Sequence, residues 1–340
     1  MMVRDLLDTK ANPFYREAAR SLFVAYRDGK PVGRIAAIEN RAHNAFYHDR
    51  VGFFGFFESI DDRHVSGALF REAESWLRGR GLTSMRGPMN PSTNHECGLL
   101  VDGFDQHPQF LTPWNPSHYE SLIRGAGFAA SKDLLGYWLP YGDPGHRPPA
   151  KLQALAQRAA AKANLTFRDL EPARFWDDVE IVWEIYNSAW DRNWGFIPMT
   201  RDEFLHMAKS LKPLLLPQFA YVAEIDGAPA GFMLCVPDFN LVFKRIRNGK
   251  LFPTGLIKIL LGKSKLRTGR VIALGIKEQF RSGSILPLFM HEAQRRAIVF
   301  GSPGAEASWV LEENQSMRQP IEQFGGRVYR RWRIFERAIA

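Results

Sequence analysis

The chain has 340 residues, of which 45% are hydrophobic and 24% are charged, a composition typical of a soluble globular protein of about two domains. Its two cysteines, Cys97 and Cys235, are too few for a disulfide scaffold or a cysteine-rich zinc site, and no metal site is predicted. The net charge of +9 favours an anionic partner such as nucleic acid, a membrane surface or a phosphorylated ligand. Because the sequence shows neither a signal-peptide pattern nor a run of about 18 apolar residues, a cytoplasmic protein is expected.

Two parts of the chain repeat the same order of predicted elements. Each begins with two strands around an Asp-Gly turn, Asp28-Gly29 in the first and Asp226-Gly227 in the second, and such a turn between apolar runs is typical of a hairpin. A further strand (51–58 or 271–276), a helix (67–80 or 285–300) and a closing aromatic strand follow. A run rich in proline and glycine at 141–149 separates the repeats. We therefore predict an α+β protein of two units, 1–143 and 144–340, each with a mixed, mostly antiparallel sheet flanked by helices.

A basic, leucine-rich insert at 242–270 interrupts the second unit. Between 243 and 270 it carries no Asp or Glu and nine basic residues, which are Lys244, Arg245, Arg247, Lys250, Lys258, Lys263, Lys265, Arg267 and Arg270. Such a segment is typical of an element that lies on an anionic membrane or covers an apolar substrate, and an ordinary solvated insertion is the structural alternative. Nucleic acid is less favoured, because side chains for base stacking are sparse here.

The sharpest motif runs from Val271 to Leu286, VIALGIKEQFRSGSIL. A strand, a turn of small residues and a helix N-terminus together form a site for an anion such as phosphate. This motif resembles the GNAT superfamily of CoA-dependent N-acyltransferases, in which Arg or Gln, two residues, Gly, one residue and Gly or Ala cradle the CoA pyrophosphate. Arg281 fits the first position, whereas Ser284 and Leu286 replace the two small residues.

The resemblance implies a set of residues that contact acetyl-CoA or acyl-CoA in the second unit. They are Leu274, Gly275, Ile276, Arg281, Ser282, Gly283, Ser284, Ile285 and Asn314. Asn314 is also expected to cap a helix that buries Met317 and Ile321. At the equivalent turn of the first unit stand Asp61 and Asp62, and because carboxylates repel a pyrophosphate, that unit is predicted to have lost CoA binding.

The pattern as a whole, including 87–91 and 94–100, resembles an uncharacterised bacterial group of tandem GNAT proteins. It is also similar to the bacterial ceramide synthases, which attach a fatty acyl group from acyl-CoA to a long-chain amine. The resemblance implies transfer of an acyl group to the primary amine of a small molecule or lipid, in the cytoplasm or at the inner face of a membrane.

GNAT chemistry needs a base for the amine, a donor for the oxyanion and a proton for the leaving thiolate. Glu312 is predicted to be the base, and the backbone N–H of Ile276 is predicted to hold the oxyanion. Ile321 stands near the place where many GNAT proteins carry a proton-donating tyrosine, so Tyr329 is predicted to supply that proton.

A polar loop in the first unit is predicted to bind the acceptor through Asn90, Asn94 and Glu96. A nucleophilic Cys97 assisted by His95 is the less favoured alternative, because adjacent side chains of a strand point to opposite faces.

Two other functions are compatible with the same fold. A Fem-type transferase would take its group from aminoacyl-tRNA, with the basic surface on the RNA backbone. A non-catalytic module would bind acyl-CoA or a membrane without turnover.

Overall fold

The computed structural model describes residues 2–142, 150–162, 164–190, 193–246, 249–250, 252, 254–281 and 285–339. The strands in chain order are β1 (Ala18–Arg27), β2 (Lys30–Asn40), β3 (Val51–Ser59), β4 (Ser84–Gly87), β5 (Met89–Asn90), β6 (Glu96–Cys97), β7 (Leu99–Asp102), β8 (Ala129–Leu139), β9 (Leu165–Asp169), β10 (Ala220–Ile225), β11 (Ala228–Pro237), β12 (Thr268–Ile276), β13 (Gly304–Leu311) and β14 (Arg327–Ala338). The helices are α1 (Met2–Leu6), α2 (Arg41–Tyr47), α3 (Arg63–Arg78), α4 (His118–Gly125), α5 (Ala150–Lys162), α6 (Phe175–Ala189), α7 (Arg201–Leu211), α8 (Asn240–Phe243), α9 (Thr254–Lys263), α10 (Ile285–Phe300) and α11 (Gln315–Gln323). Among these described elements, no helix combines the length and the apolarity that crossing a bilayer requires.

Twelve strands form one sheet that runs through both halves of the chain. The main strand order is β1-β2-β3-β4-β14-β8-β13-β12-β11-β10-β9, and β7 pairs with β14. Neighbours are antiparallel except for β3 with β4 and β12 with β13. The predicted α+β class with a mostly antiparallel sheet and flanking helices is confirmed.

The two closing strands change places between the halves. The last strand of the first half, β8, pairs with β13, while the last strand of the chain, β14, pairs with β4. The ladder between β8 and β14 joins the halves, so the two predicted sheets are one continuous sheet. The predicted boundary at 143/144 lies at the edge of a segment outside the described residues, and the division there stays a prediction.

The local signals of the sequence are confirmed at the hairpins and the long helix. Both Asp-Gly pairs have positive φ, 50° and 74° at Asp28 and Gly29 and 50° and 78° at Asp226 and Gly227, as two-residue hairpin turns require. Helix α10 spans the predicted 285–300, and α3 begins four residues before its predicted start, at Arg63. The cause is Asp62, whose side chain accepts hydrogen bonds from the backbone N–H groups of His64 and Val65 and caps the helix.

The basic insert is not one uniform surface element. Residues 247, 248, 251 and 253 lie outside the described residues, which includes Arg247. Arg270, one of the nine basic residues of the insert, lies in β12 and is only 3% exposed. The Lys263 ammonium donates to the carbonyls of Pro213 and Leu215, at 2.9 and 3.1 Å, and burial lowers its pKa. Arg270 therefore adds no charge to the surface of the insert, because β12 places it in the core.

Asp133 on β8 holds the central ladder with two arginines of β14. Its carboxylate accepts two hydrogen bonds from Arg333, both 2.7 Å, and one of 2.6 Å from Arg331. Burial would raise the pKa of Asp133, but the two guanidinium groups outweigh it and hold the pKa below its usual value.

We expect Asp133→Asn to lower the free energy of unfolding by about 2 kcal/mol at pH 7, because it removes the anion that the two partly buried guanidinium groups share and leaves them only their second partners, Glu312 and Glu120. A carboxyl whose pKa is lower in the folded protein than in the unfolded chain stabilises the fold fully at a pH above its pKa in the unfolded chain. This stabilisation is lost as the pH falls through its pKa in the folded protein. Urea denaturation of wild type and variant should therefore differ at pH 7 and converge below about pH 4. Asp177→Asn, at a carboxylate that is 74% exposed, is the control, and equal stability of Asp133→Asn and wild type at pH 7 would contradict this role.

Candidate active site

Strands β12 and β13 separate and leave a cleft in the second half of the sheet. They pair only from Thr268 to Val271 and from Gly304 to Ala307; beyond these residues β12 stays with β11 and β13 stays with β8. The cleft, which is open to solvent, has an empty volume of about 610 Å³. Side chains on its walls include Trp190, Ile272, Leu274, Met290, Trp309 and Met317. An apolar cleft between parted strands can admit a long, narrow ligand.

A bulge marks the point where the cleft opens. Leu234 pairs with Ala273 but Cys235 pairs with Val271, so Ile272 is the extra residue of β12. A bulge re-aims the backbone and side chain of the extra residue, and Ile272 lines the cleft. Ile272 is not among the residues predicted from the sequence, because a bulge depends on the register with the partner strand.

The equivalent gap in the first half is closed by the chain itself. Strands β3 and β4 pair only over Val51–Phe53 and Ser84–Arg86, but the residues after β4 run directly against β3. A Cβ at Gly55 would lie 1.7 Å from the carbonyl oxygen of Met89, and the Asn90 side chain accepts a 2.6 Å hydrogen bond from the backbone N–H of Phe56. The second half therefore carries the open cleft.

The predicted CoA contacts at the end of β12 border this cleft. Leu274 lines it, and Gly275 allows close packing, because a Cβ there would lie 2.8 Å from the Phe232 ring. Ile276, partly buried, ends the strand. Ser282, Gly283 and Ser284 lie outside the described residues, so the structure says nothing of the turn that they form.

Arg281 ties the end of β12 to helix α6. Its guanidinium donates to the carbonyl oxygens of Ile276, at 3.1 Å, and Ser188, at 2.8 Å. Ile285, the first residue of α10, is buried beside Phe289 and contributes to the core. Their roles in CoA binding stay predictions.

Asn314 caps α11 as expected. Its side chain accepts a hydrogen bond from the backbone N–H of Met317 at 3.2 Å. Met317 and Ile321 lie on the inner face of that helix, where they contact the core around Tyr137 and Val310.

A buried charged network lies on the other face of the sheet. Ala307 faces α10 and α11, so its neighbours Glu306 and Ser308 point the opposite way. The Arg270 Nε donates to Ser308 Oγ at 2.7 Å and lies 3.6 Å from Glu306 Oε1, and its guanidinium stands over the Trp309 ring. A residue of the first half joins the network: the Leu111 carbonyl oxygen accepts a 2.5 Å hydrogen bond from Arg270 Nη1. The sequence signal for this network is the presence of Glu306 and Ser308, a charged and a polar residue, in an otherwise apolar strand.

Tyr329 belongs to the same network and not to the cleft wall. Its hydroxyl donates to the Glu306 carboxylate. Burial, together with the Glu306 charge, raises the pKa of Tyr329 well above its usual value, so the hydroxyl keeps its proton. Proton donation to a leaving thiolate stays a prediction for this residue.

Glu312 lies beyond the end of β13, where it forms an ion pair. Its carboxylate accepts a 2.8 Å hydrogen bond from Arg331 and its side chain is 46% exposed. To act as the predicted general base, the Glu312 carboxylate would have to accept a proton while it is paired with Arg331.

The first-half loop that carries Asn90, Asn94 and Glu96 reaches the second half. The Asn94 amide donates to the Ile197 carbonyl oxygen at 3.0 Å and accepts from the Tyr186 hydroxyl at 2.8 Å. Asn90 pairs with Glu96 in the short β5–β6 ladder. The two amides thus hold the loop in place, and binding of the acceptor stays a prediction for all three residues.

Glu96 has the electrostatics of a proton acceptor. Burial raises the pKa of its carboxyl, while the positive charge of Arg270 and a hydrogen bond from Asn90 act against the increase. The Arg270 side chain, whose charge acts on Glu96, bonds Ser308, a residue of the cleft wall.

Cys97 lies in an apolar cluster with Leu100, Leu134 and Trp332. Burial raises its pKa to about 12, and burial lowers the pKa of His95 to about 4. The His95 Nδ1 is hydrogen bonded with Ser92 Oγ at 2.9 Å. A thiol with this pKa holds its proton at neutral pH, so the structure does not favour Cys97 as a nucleophile.

A second apolar cavity adjoins the cleft along α10. It has an empty volume of about 530 Å³ and shares four lining residues with the cleft, which are Tyr141, Met233, Val271 and Ala293. It extends from these residues towards Ala297 and Phe300 near the end of α10.

Sequence comparison places the chain among known bacterial proteins. It is 36% identical over 345 residues to a protein of Caulobacter vibrioides named bacterial ceramide synthase, covering 98% of this chain and 88% of that protein. It is also 36% identical to protein YghO of Escherichia coli, over 93% of this chain and 82% of that protein. The chain belongs to their family. No family model matches this sequence.

Solved structures with the same fold are tandem GNAT proteins. A tandem GNAT protein from the clavulanic acid biosynthesis pathway superposes with a TM-score of 0.54 at 13% identity, covering 95% of this chain and 84% of that one. A GCN5-related N-acetyltransferase from Sphaerobacter thermophilus gives a TM-score of 0.53 at 14% identity, over 99% and 85% of the two chains. The family therefore has the tandem GNAT fold that the motif at 271–286 indicated.

We expect both cysteines to be unreactive in the folded protein. Burial raises the pKa of Cys97 and of Cys235 to about 12, and only a thiolate attacks a disulfide reagent. With Ellman's reagent at pH 8, native protein should release almost no thionitrobenzoate, and protein in guanidinium chloride should release two equivalents per chain. Rapid reaction of one equivalent in the native protein would show an accessible thiolate; repetition with Cys97→Ala and with Cys235→Ala would assign it.

Proposed function

We propose that this protein is an acyltransferase that moves an acyl group from acyl-CoA to the primary amine of a long-chain amino alcohol. A relative that shares 36% of its residues over nearly the full chain is named a bacterial ceramide synthase, and a ceramide is the amide of a fatty acid with such an amine. The tandem GNAT fold supports the same class of reaction.

The observation that carries this proposal is the apolar cleft between β12 and β13. A thioester held between the separated strands would have the N-terminus of α10 on one side of the sheet. The buried charged network of Arg270, Glu306 and Ser308 would lie on the other side. Donor and acceptor would thus approach from opposite faces and meet in the cleft, which would hold the two reacting groups close together.

The cavity along α10 supports a long acyl group. Its lining is mostly apolar and it continues from the cleft past Ala293 to Ala297. Burying a chain of methylene groups there would contribute about 0.8 kcal/mol for each group.

The reaction needs a neutral amine. A new N–C bond forms as the C–S bond of the thioester breaks, the amine loses one proton and the CoA thiolate gains one. Since an alkylammonium has a pKa near 10, a base must take its proton, and Glu96, with its pKa raised by burial, is the carboxylate best suited to this step. The positive charge of Arg270 acts against this increase and would limit how far the pKa of Glu96 rises.

The phosphates of CoA would be held at the start of α10. The resemblance gives this role to Arg281 and residues 282–285, and the positive end of the dipole of a 16-residue helix favours an anion there. Asn314, at the cap of α11, would stand on the opposite side of the cleft.

We expect Glu96→Gln to lower kcat with palmitoyl-CoA and sphinganine by about 100-fold or more, with little change in the KM for the CoA substrate. Because the base acts when deprotonated, wild-type activity should fall as the pH is lowered through its raised pKa, and the variant should lack that dependence. Glu313→Gln, at a carboxylate that is 49% exposed, is the control. If Glu312 is the base instead, Glu312→Gln will show this loss and Glu96→Gln will not.

We expect Ala297→Phe to distinguish long acyl donors from short ones. The larger side chain fills the end of the cavity along α10 but not the cleft, so kcat/KM should fall at least about tenfold for palmitoyl-CoA and stay within about twofold for acetyl-CoA. Thermal unfolding verifies that the variant folds. An equal loss for both donors would contradict the placement of the acyl chain, and absence of amide formation with every acyl-CoA tested would overturn the proposed function.

A further inference from the structure

Helix α9 turns its narrow, glycine-containing side towards the protein. Gly255, Ile259 and Gly262 lie on that side, and Ile259 contacts the core around Phe239 and Val242. A Cβ at Gly262 would lie 2.7 Å from a methyl group of Val242. Because only glycine fits this close approach, the opposite side of α9 must face outward.

The outward side of α9 is apolar. Ile257, Leu260 and Leu261 are 55%, 64% and 68% exposed, and Phe252 just before the helix is 69% exposed. A surface helix of a globular protein normally has its apolar stripe on the core and its polar side in solvent. Here the exposed stripe is the apolar one, as in a docking surface.

Positive charge surrounds this apolar stripe. Lys258 is exposed on α9 itself, and Lys244, Arg245 and Lys265 are exposed on the adjoining segments. From 243 to 270 the sequence has no acidic residue. The partner is therefore one that accepts aliphatic side chains and offers negative charge beside them.

We infer that α9 docks this protein on a lipid bilayer that contains anionic phospholipids. Ile257, Leu260 and Leu261 would enter the boundary between headgroups and acyl chains, with the helix parallel to the membrane plane, while Lys244, Lys258 and Lys265 contact phosphates. A second copy of the chain is disfavoured as the occupant, because two such surfaces would bring their positive charges together. This surface is separate from the catalytic cleft and does not depend on the proposed reaction.

The test is sedimentation of the full-length protein with vesicles, in the absence of substrate. Wild type should bind vesicles of phosphatidylcholine and phosphatidylglycerol (7:3), bind vesicles of phosphatidylcholine alone more weakly, and lose affinity as salt increases. The triple substitution Ile257→Ser, Leu260→Ser, Leu261→Ser should weaken binding by about 100-fold or more.

The matched control changes exposed apolar residues of another helix. Ile298→Ser with Val299→Ser, at residues of α10 that are 58% and 79% exposed, should bind as wild type does. Lys244→Gln with Lys265→Gln should reduce the preference for phosphatidylglycerol.

Three results would overturn the inference. They are absence of wild-type binding to anionic vesicles, equal loss of binding in the α10 control, and a wild-type dimer in light scattering that the triple α9 substitution converts to monomer. Turnover of a water-soluble short-chain amine by the triple variant, measured without vesicles, separates this surface from the proposed function.

Discussion

The ladder between β8 and β14 joins the two halves of the molecule, because each of these strands leaves its own half to complete the sheet of the other. One wall of the cleft, β13, is hydrogen bonded to β8, a strand that belongs to the first half by sequence. The position of the cleft is therefore set by both halves together. Asp133, with its two arginine partners, lies in this ladder, so the charges that hold it also fix the cleft wall.

The two halves show how one supersecondary pattern can be open or closed. In both, a parallel strand pair separates after three or four residues. In the first half the gap is filled by the backbone around Met89 and by the Asn90 amide, and the Asp62 carboxylate caps the following helix and pairs with Arg27. In the second half the gap is lined by apolar side chains that leave it open. Loss of CoA binding in the first half stays a prediction, and the closed gap is the feature of the structure that bears on it.

Burial divides the charged residues of this protein into two classes. Arg270 and Glu306 are enclosed by both halves, where a low dielectric strengthens their interaction and makes separation costly. The Arg270 charge also acts on Glu96, whose pKa is raised by burial. Lys244, Lys258 and Lys265 on and beside α9, in contrast, are exposed, and the sequence from 243 to 270 has no acidic residue. Their attraction to an anionic surface is additive and sensitive to salt.

The sequence by itself determined the features that depend on neighbouring residues. The two Asp-Gly hairpins, the span of α10 and the Asn314 cap each follow from a few consecutive residues, because turns, helical periodicity and caps are local interactions. It also indicated the family through one strand-turn-helix motif. Only the tertiary structure decided the exchange of β8 and β14, the burial of Arg270 and the bulge at Ile272. It also set Glu312 in an ion pair with Arg331 and buried Glu96 where the Arg270 charge acts on it. These features join residues 19 to more than 170 positions apart, and a sequence pattern carries no information on which distant groups will share a face, a charge or a desolvated volume.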